Sequence, residues 1–192
     1  HWLKMIVIII PAKGESSRLP NKNMTILNKR PMIDYTLEQA LASKKANDVY
    51  ISTDSDEIEE YCKKRGFKII RRDSSLGSET PLVDVYHHSL KQINNTDISI
   101  IVGLQPDHPD RNMSVDEVIS FFEKQGDQND LLYSVDKNGE KNGAHFVMSK
   151  RYILSRTCVK KVKVVDDCTN VHNEKDLKIA AKRLKVQAGA IE

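Results

Sequence analysis

The stretch Met5-Ile-Val-Ile-Ile-Ile-Pro11, followed by Ala12-Lys-Gly-Glu-Ser-Ser-Arg-Leu-Pro-Asn-Lys-Asn23, decides the fold. Its first part is a continuous apolar run rich in β-branched residues, which is typical of a strand buried on both faces of a parallel sheet. Its second part is a polar loop that contains three fixed cations and one glycine. Open α/β sheets bind ligands beyond the carboxyl ends of their strands, so this loop is the first candidate site.

Strands and helices alternate along the rest of the chain. The apolar patterns predict further strands at residues 48–52, 68–70, 98–104, 131–135, 145–148 and 159–165. Helices are predicted at residues 31–43, 54–66, 80–90, 114–122 and 173–185, with Asp54, Thr80, Ser114 and Asn173 as caps. Repeated βαβ units predict an α/β fold with three α/β/α layers and a mostly parallel, Rossmann-like sheet. We expect a single domain over residues 5–185, with tails at 1–4 and 186–192.

Composition excludes several classes of function. The 192 residues are 39% hydrophobic and 30% charged, with a formal net charge of +3, which is typical of a globular chain. No basic stretch is interleaved with aromatic residues, so nucleic acid is not an expected partner. The longest apolar run is too short to cross a membrane. Three cysteines without a C-x-x-C pair predict a reducing, cytoplasmic location.

The loop after the first strand has the composition of a polyphosphate site. Backbone amides can form an anion nest there, while Lys13, Arg18 and Lys22 can neutralise a pyrophosphate leaving group. The loop matches neither the Walker pattern nor G-x-G-x-x-G, which excludes those cofactor interpretations. Taken alone, it is equally well explained as a solvated basic loop.

The loop resembles the signature loop of the nucleotide-sugar cytidylyltransferases, above all the acylneuraminate (CMP-sialic acid) synthetases and their relatives for other nonulosonic acids. Further stretches are similar to that family in the same order along the chain. They are Ser52-Thr-Asp-Ser-Asp-Glu-Ile58, Arg71-Arg72, Ser78-Glu-Thr-Pro81, Leu104-Gln-Pro-Asp-His-Pro-Asp-Arg111, Asn142-Gly-Ala144 and Glu174-Lys-Asp-Leu177. The resemblance spans residues 5–185.

The resemblance implies transfer of a cytidylyl group from CTP to a sugar acid, with release of pyrophosphate and without a covalent enzyme intermediate. It implies catalytic roles for Lys13, Arg18 and Lys22, which would hold the triphosphate. The nucleotide-binding residues that it implies are Ala12, Lys13, Gly14, Asn21, Lys22, Arg71, Ser78 and Thr80. Gln105 would face the sugar acid. Two of these residues have simpler interpretations, Arg71 as a surface ion-pair partner and Thr80 as a helix cap.

The metal site departs from the family pattern. The sialic-acid branch holds Mg²⁺ (or Mn²⁺) with two aspartates before the final helix, where this chain has Asn170 and His172. Neutral Asn and His are poor replacements for the anionic oxygens that Mg²⁺ prefers. The resemblance implies Asp107 as the metal ligand, since the Kdo-type branch carries an aspartate there. Asp166 and Asp167 are the alternatives.

The second departure is a missing segment. The family usually carries several tens of residues between the strand that here ends at Val135 and the N-G-A motif, and these residues form a dimerising arm. In this chain only residues 136–141 lie between the two. A homodimer would therefore need a surface other than the arm. Two alternatives follow from these departures: a CTP- or CMP-binding remnant without turnover, and a cytidylyltransferase for a different, smaller acceptor. An enzyme specific for another nucleotide is a third alternative, because the loop cations recognise phosphate and not the base.

Overall fold

The apolar run at the start of the chain forms the central strand β1 (Met5–Ala12), which is almost wholly buried. The computed structural model describes residues 4–16, 18–73, 75–77 and 79–189. The remaining strands are β2 (Ile26–Leu27), β3 (Arg30–Pro31), β4 (Asp48–Thr53), β5 (Lys68–Arg71), β6 (Ile98–Gly103), β7 (Asn129–Val135), β8 (Lys141–Ser149) and β9 (Lys160–Val165). The helices are α1 (Ile33–Leu41), α2 (Asp56–Lys63), α3 (Leu82–Ile93), α4 (Val115–Lys124), α5 (Lys150–Ser155) and α6 (Glu174–Gln187).

Seven strands form one sheet in the order β5-β4-β1-β6-β8-β7-β9. Strand β8 runs antiparallel to both of its neighbours, while the pairs β5/β4, β4/β1, β1/β6 and β7/β9 are parallel. Strands β2 and β3 form a separate two-stranded hairpin. The predicted fold class, a three-layer α/β/α domain with a mostly parallel sheet, is therefore confirmed.

Alternation along β1 builds the two faces of the core. Ile6, Ile8 and Ile10 join the cluster that contains buried residues of α1, α2 and α4. Val7 and Ile9 join the opposite cluster, which contains buried residues of α3 and α5. Helix α6 packs in a third, smaller cluster with the β2–β3 region. Because both faces of the sheet are covered, the carboxyl ends of its strands form the surface that is open to a ligand.

The predicted helix caps are partly right. Ser114 forms the expected capping box with Glu117, and the side chain of Asn173 caps α6. Helix α2 is capped by Ser55 and not by Asp54, because the Asp54 carboxylate is used elsewhere as the acceptor of the Gly14 amide. Helix α3 begins after Pro81 with no side-chain cap bond, so the predicted Thr80 hydroxyl cap is wrong.

Several elements also differ from the prediction: β8 begins at Lys141 and not at residue 145, for example, and the β2–β3 hairpin is additional. Helix α6 continues to Gln187, so residues 186 and 187 are helical and not part of a tail. The short helix α5, which follows β8, was not predicted; its N-cap is Ser149, whose hydroxyl accepts from the Tyr152 amide. Within the described residues, none of the helices combines the length and the apolar character needed to span a bilayer.

Candidate active site

A cavity of about 950 Å³ opens at the carboxyl edge of the sheet, over β1 and β6. It brings together seven of the residues predicted for the site: Lys13, Gly14, Asn21, Lys22, Thr80, Gln105 and Asp107. Its other lining residues are Pro11, Glu15, Ser16, Pro20, Asn23, Arg72, Glu79, Leu82, Val85 and Pro106. The polar loop after β1 and the loop after β6 therefore face one common volume.

The loop after β1 is pinned by polar contacts to its neighbours. The amide of Gly14 donates to Asp54 Oδ1 at 2.8 Å, and a Cβ at Gly14 would lie 2.9 Å from the Cβ of Ser55. The side-chain amide of Asn23 donates to the carbonyl of Lys13 at 2.9 Å. Glycine at position 14 lets the loop approach the end of β4, because any larger side chain would push the two segments apart.

Three cationic side chains line this cavity, those of Lys13, Lys22 and Arg72. Arg72 is buried, and its Nε donates to Ser52 Oγ at 3.1 Å. Burial lowers the pKa of Arg72, and burial together with the nearby Arg72 lowers the pKa of Lys13. The acidic side chains Glu15 and Glu79 also line the cavity but are exposed at its rim. Clustered, partly desolvated cations are stabilised when an anion binds among them.

Lys22 and Asp107 form an ion pair across the cavity. Lys22 Nζ lies 2.9 Å from Asp107 Oδ2, and each side chain is 16% exposed. Nδ1 of His108 lies 2.9 Å from the other carboxylate oxygen, Oδ1, although it is not aligned as a hydrogen bond. Burial alone raises the pKa of Asp107, but His108 and Lys22 outweigh it and hold that pKa well below the usual range. Asp107 is therefore an anion throughout the physiological pH range.

The loop that carries Gln105 and Asp107 is held from behind by Arg111, a buried guanidinium. Its donors reach five acceptors at 2.6–3.0 Å: the carbonyls of Gln105, His108 and Ala144 and the side chains of Thr36 and Gln39. Burial lowers the pKa of Arg111 to about 10, which still leaves it charged at neutral pH. Arg111 thereby ties the loop after β6 to the beginning of β8.

The alternative metal ligands lie away from the cavity lining. Asp166 is buried and accepts from the amides of Asn112 and Met113, and its Oδ2 lies 2.7 Å from His145 Nε2. Asp167 Oδ1 accepts from the amide of Lys137 at 3.2 Å. Both carboxylates thus hold together the loops beside β7, and neither lines the cavity.

The remaining predicted residues lie outside the cavity lining. Ala12 is fully buried at the end of β1, and Arg18 is exposed. Arg71 is also exposed, where it donates to the carbonyl of Asp54 and makes an ion pair with Asp56. Ser78 lies outside the described residues. The cavity cation at this strand end is Arg72, a residue for which the sequence argument had assigned no role.

The missed arginine had a sequence signal. Arg71 is the last residue of β5 and the side chains of a strand alternate between its faces, so neighbouring arginines at a strand end point to opposite sides. Arg71 and Arg72 could thus have been divided into one surface residue and one site residue. Which of them faced the cavity required the register of β5 on β4, where Thr53 pairs with Arg71.

The cavity side chains fit Mg²⁺ only if the phosphate oxygens of a bound nucleotide supply further ligands. Within the part of the chain that the structure describes, no group of three or more His, Cys, Asp or Glu is arranged to hold a metal ion. Asp107 supplies one carboxylate, and the buried Oδ1 of Asn170 has no hydrogen-bond partner. The amide of Val171 donates to the Asp107 carbonyl at 2.9 Å, so the Asn170 loop meets the Asp107 loop. Magnesium sites that bind nucleotides commonly use one or two carboxylates and complete the shell with phosphate oxygens and water.

A tight turn stands where the family that the sequence resembles usually carries its dimerising arm. Strands β7 and β8 are joined by residues 136–140, where the amide of Asp136 donates to the carbonyl of Glu140 at 2.8 Å. Gly139 has a φ of 82°, a conformation in which glycine is favoured. The side of the cavity next to Gln105 is therefore bordered by a short hairpin.

Comparisons with family models and with curated proteins give cytidylyltransferases. A family model described as cytidylyltransferase matches residues 7–188. An 8-amino-3,8-dideoxy-manno-octulosonate cytidylyltransferase from Shewanella woodyi is 32% identical over 120 residues, which are 62% of this chain and 48% of that protein. The chain therefore spans about half the length of the curated relatives that it matches.

Solved structures match over a longer part of the chain. A CMP:2-keto-3-deoxy-manno-octonic acid synthetase complexed with CTP superposes with a TM-score of 0.77 at 14% identity, covering 98% of this chain and 100% of that one. A cytidylyltransferase from Leptospira borgpetersenii gives a TM-score of 0.62 at 23% identity, covering 83% of this chain and 66% of that one. At these identities the structural likeness shows the fold.

Proposed function

This chain belongs to the cytidylyltransferase family, and we propose that it uses CTP to activate a nonulosonic, sialic-like acid, giving a CMP-sugar and pyrophosphate. The observation that carries the proposal is the convergence of Lys13, Lys22 and Arg72 on one cavity of about 950 Å³ at the carboxyl edge of the sheet. A triphosphate supplies the negative charge that this arrangement favours. The named activity of the curated relatives supports CTP as the donor and a sugar acid as the acceptor.

The proposed reaction is a direct displacement at the α-phosphorus of CTP. A hydroxyl oxygen of the acceptor forms a bond to the α-phosphorus and loses its proton, and the bond from that phosphorus to the bridging oxygen of pyrophosphate breaks. Lys13 and Lys22 neutralise the charge that develops on the leaving group, with Arg18 at the outer side of the loop. Catalysis of this kind depends on positioning and charge neutralisation.

The nucleotide and the acceptor take opposite sides of the cavity in this proposal. Gly14, Asn21 and Thr80 lie on the nucleotide side, where Arg72 takes the role first assigned to Arg71. Ala12 contributes through its backbone, because its side chain is buried. Gln105 lies on the acceptor side, next to the short β7–β8 hairpin.

Magnesium, or manganese, enters the proposal together with CTP. Asp107 is the cavity carboxylate that would hold the ion. When bound, the ion would neutralise charge on the phosphate oxygens. Lys22 shares that carboxylate, so its ammonium is available to the triphosphate once Asp107 has a second cation.

The proposal extends to location and assembly. All three cysteines are free, which supports a reducing, cytoplasmic compartment where CTP is available. A homodimer would use a surface other than the family arm, since only residues 136–140 join β7 to β8.

The decisive experiment measures Mg²⁺-dependent pyrophosphate release from CTP across a panel of nonulosonic acids, with calorimetric CTP binding on the same sample. Release with one acid is the expected result and identifies the acceptor. Absence of CTP binding would overturn the proposal. Other nucleoside triphosphates in the same titration test whether the cavity selects cytosine, because loop cations recognise phosphate and not the base.

The metal ligand is tested by Asp107→Ala. We expect this variant to need at least about tenfold more Mg²⁺ for half-maximal activity, because the carboxylate on the inner wall of the cavity is lost. Glu79→Ala, which removes a carboxylate from the exposed rim, is the matched control and should leave the metal titration unchanged. An unaltered titration for Asp107→Ala would show that the ligand lies elsewhere.

A second candidate function is nucleotide binding without turnover. It is favoured by the Lys22–Asp107 ion pair, which already neutralises the cavity carboxylate, and by the short hairpin on the acceptor side. Tight CTP binding with no pyrophosphate release from any acid in the panel would support it. Release with a smaller hydroxy acid outside the panel would instead support a cytidylyltransferase with a different acceptor.

A further inference from the structure

His108 is a buried histidine that lies between the Asp107 carboxylate and the beginning of β8. It is 1% exposed, and its Nδ1 lies 2.9 Å from Asp107 Oδ1. Its Nε2 lies 3.1 Å from the backbone nitrogen of Gly143, at the beginning of β8. One imidazole therefore links the cavity carboxylate to the first residues of β8.

The two contacts define where the imidazole carries its proton. The Gly143 nitrogen bears a hydrogen and can only donate, so Nε2 must accept with its lone pair. A neutral imidazole with an accepting Nε2 carries its proton on Nδ1. Nδ1 lies 2.9 Å from Oδ1 of Asp107, the oxygen that Lys22 does not use, in a close contact whose angle is not that of a hydrogen bond.

The surroundings fix the ring in this place. A Cβ at Gly143 would lie 1.8 Å from Nε2 of Gln105 and 3.0 Å from Cε1 of His108, so both side chains close on the glycine. Arg111 holds the carbonyl of His108 at 2.8 Å and the carbonyl of Ala144 at 2.7 Å. The histidine and the strand that it contacts are thus fastened to the same guanidinium.

We propose that His108 is a positioning residue that holds the Asp107 carboxylate in place when Lys22 turns to the triphosphate. In the structure each carboxylate oxygen of Asp107 has one side-chain nitrogen beside it, Lys22 Nζ at Oδ2 and His108 Nδ1 at Oδ1. The proposed function recruits Lys22 to phosphate, which leaves His108 as the contact that keeps Oδ1 fixed. This inference rests on the proposed function and adds a residue to it.

Two substitutions separate the two contacts of the ring. His108→Asn keeps a polar group near the position of Nδ1, beside Asp107, and loses the acceptor for Gly143. His108→Gln keeps an acceptor near the position of Nε2 and loses the group that contacts Asp107. We expect His108→Gln to lower kcat for pyrophosphate release by about tenfold or more, with little change in the KM for CTP. His108→Asn should retain most of the wild-type kcat.

The comparison of the two variants distinguishes positioning from a structural role. Equal losses of kcat in both variants, in step with equal losses in melting temperature, would overturn the proposal, as would unchanged kcat in His108→Gln. Melting curves on both proteins show whether each is folded at the assay temperature.

A measurement on the free protein keeps this test apart from that of the proposed function. Imidazole ¹⁵N chemical shifts, assigned by the signals that His108→Gln removes, should show His108 protonated at Nδ1 and bare at Nε2. An Nε2–H tautomer would overturn the proposal even in a protein that does not turn over CTP. If the wild type fails to bind CTP but shows the Nδ1–H tautomer, the proposed function has failed and the contact geometry stands.

Discussion

The two halves of the cavity edge hold their charges in different ways. On the nucleotide side, Lys13, Lys22 and Arg72 line an open volume, and burial already lowers the pKa of two of them. In the loop after β6, Arg111 is buried and already donates to five oxygen atoms of the protein. The first half is arranged so that a ligand improves its electrostatics, while the second is complete before a ligand arrives. The cations that line the open volume are thus separate from the guanidinium that ties the loop after β6 to β8.

The largest effect is expected at the completed half. Arg111→Lys should lower the free energy of unfolding by about 3–5 kcal/mol, because lysine cannot reach five acceptors and leaves buried carbonyls unpaired. Urea unfolding measures this change. Arg65→Lys, at an exposed arginine stacked on Tyr61, is the matched control and should change stability by less than about 0.5 kcal/mol. A loss of similar size in both variants would remove the distinction between the two halves.

The open half should respond in activity and not in stability. Lys22→Ala is expected to reduce pyrophosphate release by about 10²–10³-fold, since one cation at the developing charge is lost, while the fold stays intact. Initial rates and melting curves on the same preparation check both statements. Lys178→Ala, at an exposed position of α6, serves as the control. Turnover equal to wild type in Lys22→Ala would end its role at the phosphates.

The adjacent arginines offer a sharper test of where the open half ends. Arg72→Gln should weaken CTP binding by about tenfold or more, because a charged donor at the inner wall is lost. Arg71→Gln removes only contacts at the surface with Asp54, Asp56 and Glu59, and should leave the affinity within about twofold. Calorimetric titration of both variants decides the matter. Weaker binding in Arg71→Gln than in Arg72→Gln would reverse the assignment.

The smallest effect concerns acid. Burial is the main cause that lowers the pKa of His145, whose folded state therefore binds fewer protons than its unfolded state, so stability falls as pH decreases below about 6.5. The depressed pKa of Asp166, its partner, acts in the same direction at lower pH. Urea unfolding at pH 7 and pH 5 should therefore show a larger loss of stability in wild type than in His145→Gln. The exposed His172→Gln variant should keep the wild-type difference.

Much of the fold could be predicted because it follows from local patterns. The apolar run of β1 and the capping box of α4 depend on neighbouring residues alone, and both are present. The loop after β1 could be recognised as a candidate site because strand ends in such sheets gather ligands. Lys13, Lys22, Gln105 and Asp107 indeed line one cavity, although their roles in binding and catalysis stay predictions.

The rest depends on contacts between segments far apart in the chain. The choice between Arg71 and Arg72 required the register of two strands, and the cap of α2 moved to Ser55 because Asp54 bonds a loop 40 residues away. The role of Arg111 is invisible in sequence, since its acceptors come from α1, the loop after β6 and β8. Buried polar networks are assembled by the whole fold, and short-range patterns carry no record of them.

The hairpin turn at residues 136–140 gives this architecture an unusual freedom to change. The turn is exposed at its tip, and Gly139 closes it without support from the core. Lengthening such a turn costs little, about 0.6 kcal/mol for each doubling of loop length. Under the proposed function, a segment inserted there would border the acceptor and leave the polar loop after β1 and the Arg111 contacts in place. The proposal thus predicts that acceptor preference can be exchanged by insertion at this turn while the residues proposed to hold the nucleotide stay unchanged.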